Sequence, residues 1–440
     1  MKRKVYIVQT SFRCMDGKIA KGGFLGYNTL NLPILSAAVP LTWEKECCFE
    51  YNDAINYDTN ADVIFIIGTT IDIKNGCNVA QRFKEKGKVV IHGGYQDSFS
   101  LLLMKKVCDS VYHGIPGPQQ MKEILDDAEK GQLRHEYHCG INIDFPFDYS
   151  FFEGRKIHHI ELYSSIGCKF KCDYCYHQIS FDGIYRFRSI ENVITDLKSI
   201  KKLTKYVGFR DPNIYNERDR LIKLCHQLIE EKIGIRWAAQ CPVFIGKDKE
   251  VLALMHQAGC RLIFLGLESL NQKNLQSVNK PFNVADYRHL VSTIQETGIM
   301  VAAYFMLGLD YDSINTFDEI FSFVRETKIE LPIVNLFTPI PGTRVYNRLK
   351  AEERLDYPNL ETFEKRDPLY GQPCNCSYHT PKNISREDLE KGYMELFHKL
   401  TSYPEIFRRT LKFNRNAFKV LVLNLNLRKE RLKMETQIRV

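Results

Sequence analysis

Cys168, Cys172 and Cys175 stand with three and then two residues between them, in the run Ile-Gly-Cys-Lys-Phe-Lys-Cys-Asp-Tyr-Cys-Tyr-His at 166–177. Thiolates are the ligands of iron–sulfur clusters, which usually take four of them. The run supplies three. A four-iron cube held by three cysteines leaves one iron open to a small molecule, which suits chemistry better than electron storage. A zinc site closes with four ligands, commonly from two short knuckles, and only His177 is near enough to complete one here. Three buried structural thiols at this spacing would be a coincidence.

The elements that must hold this run are legible on either side of it. A strand-like stretch at 157–165 leads straight in. Strand signals recur at 158–164, 206–209, 234–238, 261–267, 300–307 and 333–337, alternating with helical stretches at 190–202, 217–232, 247–258, 284–297, 315–328 and 344–353. Six β/α units in series predict a partial (βα)6 barrel of the TIM type over 150–350, with working residues on loops at the strands' carboxyl ends. The cysteine run follows the first strand. Glu268 ends an apolar strand, where a carboxylate needs a partner. Arg210 and Asp211 end the second strand and Gln240 the third, placing them towards the cavity as cofactor or substrate contacts or as barrel-end hydrogen bonds. Arg186 and Arg188 read as structural or solvated.

Residues 1–140 show a second alternation. Short apolar runs at 5–8, 62–68, 88–94 and 110–114 are separated by helix-like stretches at 77–86, 98–107 and 118–130. Continuous apolar strands between helices predict a parallel sheet covered on both faces, a doubly wound α/β unit. Ligands of such sheets bind beyond the carboxyl ends, where glycines admit a close backbone approach. Gly68-Thr69-Thr70 and Gly93-Gly94-Tyr95-Gln96 fall at two of those ends, and Gly114 at a third.

Size and composition set outer limits. The 440 residues suit two or three domains, and 44% hydrophobic with 26% charged residues is ordinary for globular protein. No apolar run approaches the ~20 residues of a membrane span, and the N-terminus lacks a signal-peptide core, so the expected location is cytoplasmic. Fourteen cysteines scattered without paired regularity point to reduced thiols and a metal site rather than a disulfide scaffold. The formal charge of +8 is matched by the tail at 408–440 alone, which has ten Lys or Arg against two Glu. A solvated basic helix or a contact with an acidic partner would each explain it; nothing else suggests nucleic acid.

The cysteine run resembles the signature of the radical S-adenosylmethionine superfamily, Cys-x3-Cys-x-aromatic-Cys, with Tyr174 at the aromatic position that lies against the adenine in that family. The resemblance implies a [4Fe-4S] cluster on Cys168, Cys172 and Cys175, whose open iron chelates S-adenosylmethionine and splits it to a 5′-deoxyadenosyl radical. Leu265-Gly-Leu-Glu-Ser269 is similar to the family's fourth-strand Gly-Ile-Glu-Ser, which implies that Gly266, Glu268 and Ser269 help to hold S-adenosylmethionine. Phe305-Met-Leu-Gly308 and Thr338-Pro-Ile-Pro-Gly-Thr343 resemble the fifth- and sixth-strand segments. The ordered runs of residues 1–135 resemble the cobalamin-binding domain that precedes the radical domain in many members, although an Asp-x-His-x-x-Gly cobalt-ligand segment is absent. Methylthiotransferases also carry a doubly wound domain before the radical motif, but their extra cysteines fall where this chain has Thr69-Thr70 and Gly93-Gly94. The remaining region, 351–440, reads as a mainly helical cap, with 381–403 similar to the tail that closes over the barrel in cobalamin-type relatives. Cys374 and Cys376, with a single residue between them, fall short of a second cluster.

Together these resemblances imply a cobalamin-dependent methyltransferase that transfers methyl to an unactivated carbon of a small molecule or peptide. Its electrons would come from an external donor such as flavodoxin or ferredoxin. Cyclisation, rearrangement or epimerisation by the same radical, and a non-catalytic redox sensor, are the competing readings.

Overall fold

The computed structural model describes residues 2–11, 18–19, 30–68, 72–94, 98–155, 157–180, 183–365, 376–410 and 417–438. Two six-stranded parallel sheets organise them. The first contains β1 (Lys4–Gln9), β2 (Glu44–Phe49), β3 (Val63–Ile67), β4 (Val89–Gly94), β5 (Ser110–Ile115) and β6 (Glu136–Ile141), in the spatial order β2-β1-β3-β4-β5-β6. Because the order reverses between β1 and β3, right-handed crossovers put helices on both faces. Asn31–Ala38 and Pro118–Glu129 cover one face over Val5, Ile7, Phe65 and Ile91, and Ile73–Glu85 and Ser98–Val107 cover the other. Strands buried on both sides need continuous apolar sequence, which is why Val-Ile-Phe-Ile-Ile reads as it does. The edge strands β2 and β6 and the helix Asn31–Ala38 had no such signal: Glu-Lys-Glu-Cys-Cys-Phe is half exposed, and the helix contains Pro33.

The second sheet joins β7 (Ile160–Leu162), β10 (Tyr206–Phe209), β11 (Arg236–Cys241), β12 (Cys260–Glu268), β13 (Met300–Leu307) and β14 (Leu331–Leu336) in sequence order. Between β7 and β10 lies a small antiparallel pair, β8 (Ser165–Ile166) with β9 (Arg186–Phe187). Strands added always on the same side, with right-handed crossovers, send every connecting helix to one face. The other face is left to line a lumen, as in part of a barrel. At the amino-terminal end of that face Leu262, Met300, Leu331 and Ile333 pack against Val420, Leu423 and Leu427 of the helix Ala417–Ile438. The basic tail is therefore partly a plug: its apolar residues recur at i, i+3 and i+7 and face the sheet. No helix among the described residues is long and apolar enough to cross a membrane.

Two buried pairings fix the frame. Arg188, read from sequence as structural or solvated, is fully enclosed against Asp196, with its Nη2 donating to the Phe145 carbonyl at 2.7 Å. His379 is also buried, and its Nε2 lies 2.8 Å from the Gly308 carbonyl, tying the C-terminal region to the loop after β13. Burial lowers His379 to about 4 and the enclosed His92 on β4 to about 3. An unfolded chain titrates its histidines near 6.5 and so binds more protons than the folded one below that pH. Stability is expected to be complete above about pH 6.5 and to fall as the pH drops towards 4, by about 1.4 kcal/mol per unit for each of these histidines. Urea unfolding of the cluster-free chain at pH 7, 6 and 5 measures the slope, and His92→Leu should remove one histidine's share.

Candidate active site

The cysteine run leaves β8 and returns through β9, so this pair closes the base of the loop. Gly167, at φ +75°, makes the closure possible: a Cβ there would lie 2.1 Å from the Ile184 carbonyl oxygen. Gly167→Ala is expected to pay for both the left-handed conformation, about 1–2 kcal/mol, and that clash. Lower iron content after reconstitution and a lower unfolding midpoint would register it.

Cys168, Cys172 and Cys175 line one cavity of about 200 Å³ beyond the carboxyl ends of β10–β13. Burial raises all three thiols, Cys175 to about 12. Uncharged thiols of this kind release their protons when they take a metal. The surroundings already favour the anion: the Phe170 N–H and the Asn213 side chain hydrogen-bond Cys168, and the His177 N–H hydrogen-bonds Cys175. Donors to sulfur tune a cluster's potential. Phe170 and Phe282 line the cavity as an apolar wall beside the thiols, and Phe244 backs them, the three rings meeting edge to face at 5.7–5.9 Å. Cys241 also borders the cavity, but its thiol lies among Asp211 and Cys225. Three thiols with hydrogen-bond donors and a dry wall fit a cubic iron–sulfur cluster with one free corner.

On the same cavity Tyr174, Glu268 and Lys280 form a closed triangle. The Tyr174 hydroxyl donates to Glu268 Oε1 at 3.0 Å, and Lys280 Nζ reaches the same oxygen at 2.7 Å and the tyrosine oxygen at 3.0 Å. Glu268 and Lys280 expose only 10% and 7% of their side chains, so the pair is desolvated. Glu268 sits at φ +64°, where the β12–β13 register shifts, which is a strained backbone at the site. Gly266 leaves room for the pair, since a Cβ there would come within 2.3 Å of Glu268 Oε1 and 2.9 Å of Lys280 Nζ and push the two ends out of place. Lys280 was not singled out in the sequence. Its local sequence, a lysine between Asn279 and Pro281, reads as an ordinary polar turn.

Other residues expected at the site are divided. Gln240 borders the cavity, as does Tyr304, whose ring stacks on Phe264. Asp211 is enclosed elsewhere, accepting from the Ser164 N–H at 2.8 Å and from the Ser164 and Ser165 hydroxyls at 2.6 and 2.5 Å, so it braces the turn from β7 to β8. Ser269 is buried, its Oγ accepting from Asn271 N and Asn274 Nδ2. Arg210 pairs through Nε with Glu161 at 3.3 Å.

In the first sheet Gly68, Gly93, Gly94 and Gly114 all stand at carboxyl ends, while Thr69, Thr70, Tyr95 and Gln96 lie outside the described residues. Gly93 is demanded by packing, because a Cβ would lie 2.4 Å from the Tyr112 ring; Gly114 is demanded by the Gly140 carbonyl at 2.0 Å. Gly94, at φ +125°, borders a small cavity with Tyr112, Gly114 and Ile115. The helix that follows carries Phe99 onto Tyr346 and Phe363, at 6.2 and 5.2 Å, so this end of the first sheet adjoins the chain beyond β14.

Residues 162–324 match the Radical SAM superfamily model. The chain is 26% identical over 366 residues to the bacteriochlorophyllide d C-12(1)-methyltransferase of Chlorobaculum tepidum, covering 79% of this chain and 76% of that one. Among solved structures, the radical S-adenosylmethionine methyltransferase TsrM of Kitasatospora setae, with cobalamin and a [4Fe-4S] cluster bound, superposes with a TM-score of 0.70 at 12% identity, covering 98% of this chain and all of that one. The cobalamin-dependent S-adenosylmethionine radical enzyme OxsB gives 0.69 at 14% identity, over 97% of this chain and 71% of that one.

Proposed function

We propose that this chain, whose residues 162–324 match the Radical SAM superfamily model, is a cobalamin-dependent methyltransferase of that superfamily acting on an unactivated carbon. The observation that carries the reading is the shared cavity: three thiols and the Tyr174–Glu268–Lys280 triangle open onto one space at the strand ends. When bound, the cofactors supply the chemistry: the cluster and S-adenosylmethionine a carbon-centred radical, cobalamin the methyl group.

The chain's own part is positional. Cys168, Cys172 and Cys175 would hold three irons and leave the fourth facing the cavity. Tyr174 and Gly266 would border the adenosine, and the Glu268–Lys280 pair would give its polar groups a fixed donor and acceptor. Fixing reacting groups before reaction is worth several kcal/mol of barrier. The apolar wall of Phe170 and Phe282, backed by Phe244, would exclude water from the cavity when the cofactors are bound. Gly68 and Gly94, at the carboxyl ends of β3 and β4 where doubly wound sheets take ligands, support a corrinoid there. An electron donor such as flavodoxin or ferredoxin belongs to the same reading.

The relative from Chlorobaculum makes cyclic tetrapyrroles the first substrates to test. Anaerobically purified protein, with methyl-labelled S-adenosylmethionine and a bacteriochlorophyllide, should retain a corrinoid and move label to carbon. Deoxyadenosine without label in product would favour a rearranging or cyclising reaction instead.

A further inference from the structure

A second group of metal-ligating side chains lies on the first sheet, away from the cysteines. His113 on β5 stands directly opposite His138 on β6 in the parallel register. Glu136 precedes His138 by two residues, so both project from the same face of β6. The ligand atoms of all three lie within 4.8 Å of one another. His113 Nε2 is in hydrogen-bond contact with Glu136 Oε1, and His138 Nε2 stops 3.7 Å from that same oxygen. The two imidazoles stack at 4.5 Å, 12° from parallel.

A hydrogen-bonded pair explains only part of this arrangement. One proton serves His113 and Glu136, yet a second imidazole nitrogen is brought to the same carboxylate oxygen without reaching hydrogen-bond distance. Lys105 takes the other oxygen, Oε2, at 2.7 Å, which turns Oε1 towards the two rings. Two imidazole nitrogens and one carboxylate oxygen, two of the three from one strand and one from its neighbour, are a three-ligand set with a fourth position open to solvent. That is the donor set and count of an open zinc site. Imidazole with carboxylate suits zinc better than the softer or harder cations that thiolate or all-oxygen sites select. The side chains are accessible from outside, 31% exposed for His113 and Glu136 and 75% for His138, so an ion can enter, and the exposed His138 ring is free to turn its nitrogen inwards.

The position gives the ion something to hold. β6 is the edge of its sheet, and its register with β5 shifts between His113 and Ile115, where Gly114 meets Gly140. The geometry points to a divalent-cation site on His113, Glu136 and His138, of zinc type, that clips the edge strand to the sheet beside the end of β5. The Lys105 ammonium is a like charge next to the ion, and it makes a specific demand: neutralising it should tighten binding.

The probe is Co²⁺, then Zn²⁺, added anaerobically to the full chain after reconstitution with iron and sulfide, so that the cluster cysteines are already occupied. One cobalt per chain is expected beyond the iron and beyond any corrinoid cobalt measured before the addition, with ligand-field bands and no thiolate charge transfer. Zinc should displace it and raise the unfolding midpoint by several degrees. Lys105→Met should bind about tenfold more tightly, and His113→Asn with His138→Asn should lose the site while keeping the native circular dichroism. Absence of a bound ion in the unaltered chain, thiolate charge transfer in the cobalt spectrum, weaker binding in Lys105→Met, or unchanged binding in the double variant would each overturn the assignment.

Discussion

Replacing Cys172 with alanine should leave a folded chain that retains little iron or sulfide after reconstitution and does not cleave S-adenosylmethionine. Three thiols share the cavity, and each is one of the bonds that hold the cluster while leaving a corner free. With two left, an iron that the protein no longer ligates opens a second vacant corner. Deoxyadenosine formation should then fall by at least about a thousandfold, the scale on which loss of an indispensable group is read. The same loss is expected for Cys168→Ala and Cys175→Ala. Cys260→Ala is the control: its thiol is enclosed at the start of β12 and borders no part of the cavity. It should keep full iron content and lose only about 1 kcal/mol of stability, the scale of a small core truncation. Iron and sulfide analysis with chromatography of the nucleoside products reads all four variants.

The second large effect belongs to Lys280. Glu268 and Lys280 are almost wholly removed from solvent, so Lys280→Met leaves a buried carboxylate beside only the Tyr174 hydroxyl. Removing one member of such a pair costs about 3–5 kcal/mol, in a residue whose backbone is already strained at φ +64°. A fall of roughly 10 °C in the unfolding midpoint is expected for a domain of this size. Glu268→Gln combined with Lys280→Met removes both charges and should recover most of that stability. It should not recover S-adenosylmethionine affinity, expected to stay at least about tenfold weaker because the charged donor and acceptor are both gone. Thermal unfolding and equilibrium dialysis therefore separate the two roles. Recovery of affinity together with stability would reduce the triangle to a piece of scaffold.

What could be read in advance follows from the range of each interaction. The cysteine spacing is a local pattern, and a metal imposes it locally, so the sequence alone carried it. The six β/α units were equally readable, because strands buried by a helix on one side and a lumen on the other stay mainly apolar, with polar residues such as Arg236, Gln240 and Glu268 placed near their ends. The edge strands were not: Glu44–Phe49 and Glu136–Ile141 each have one unpaired side, and their sequence alternates or turns polar accordingly. Lys280 escaped notice because its meaning depends on Tyr174, 106 residues earlier. Asp211 stayed open between two readings for the converse reason: standing at a strand end does not decide whether a carboxylate faces the cavity or, as here, the serines of the neighbouring turn. In the tail, abundant lysine and arginine masked the short apolar stripe at Val420, Leu423 and Leu427 that seats the last helix.

The vacant iron corner is the claim on which the rest stands, and one spectrum addresses it. The reconstituted protein is reduced anaerobically and its electron paramagnetic resonance recorded before and after S-adenosylmethionine is added. A signal from a reduced four-iron cluster whose g-values shift on addition is the expected result. A four-iron signal that S-adenosylmethionine leaves untouched, or the lack of any such cluster, contradicts it.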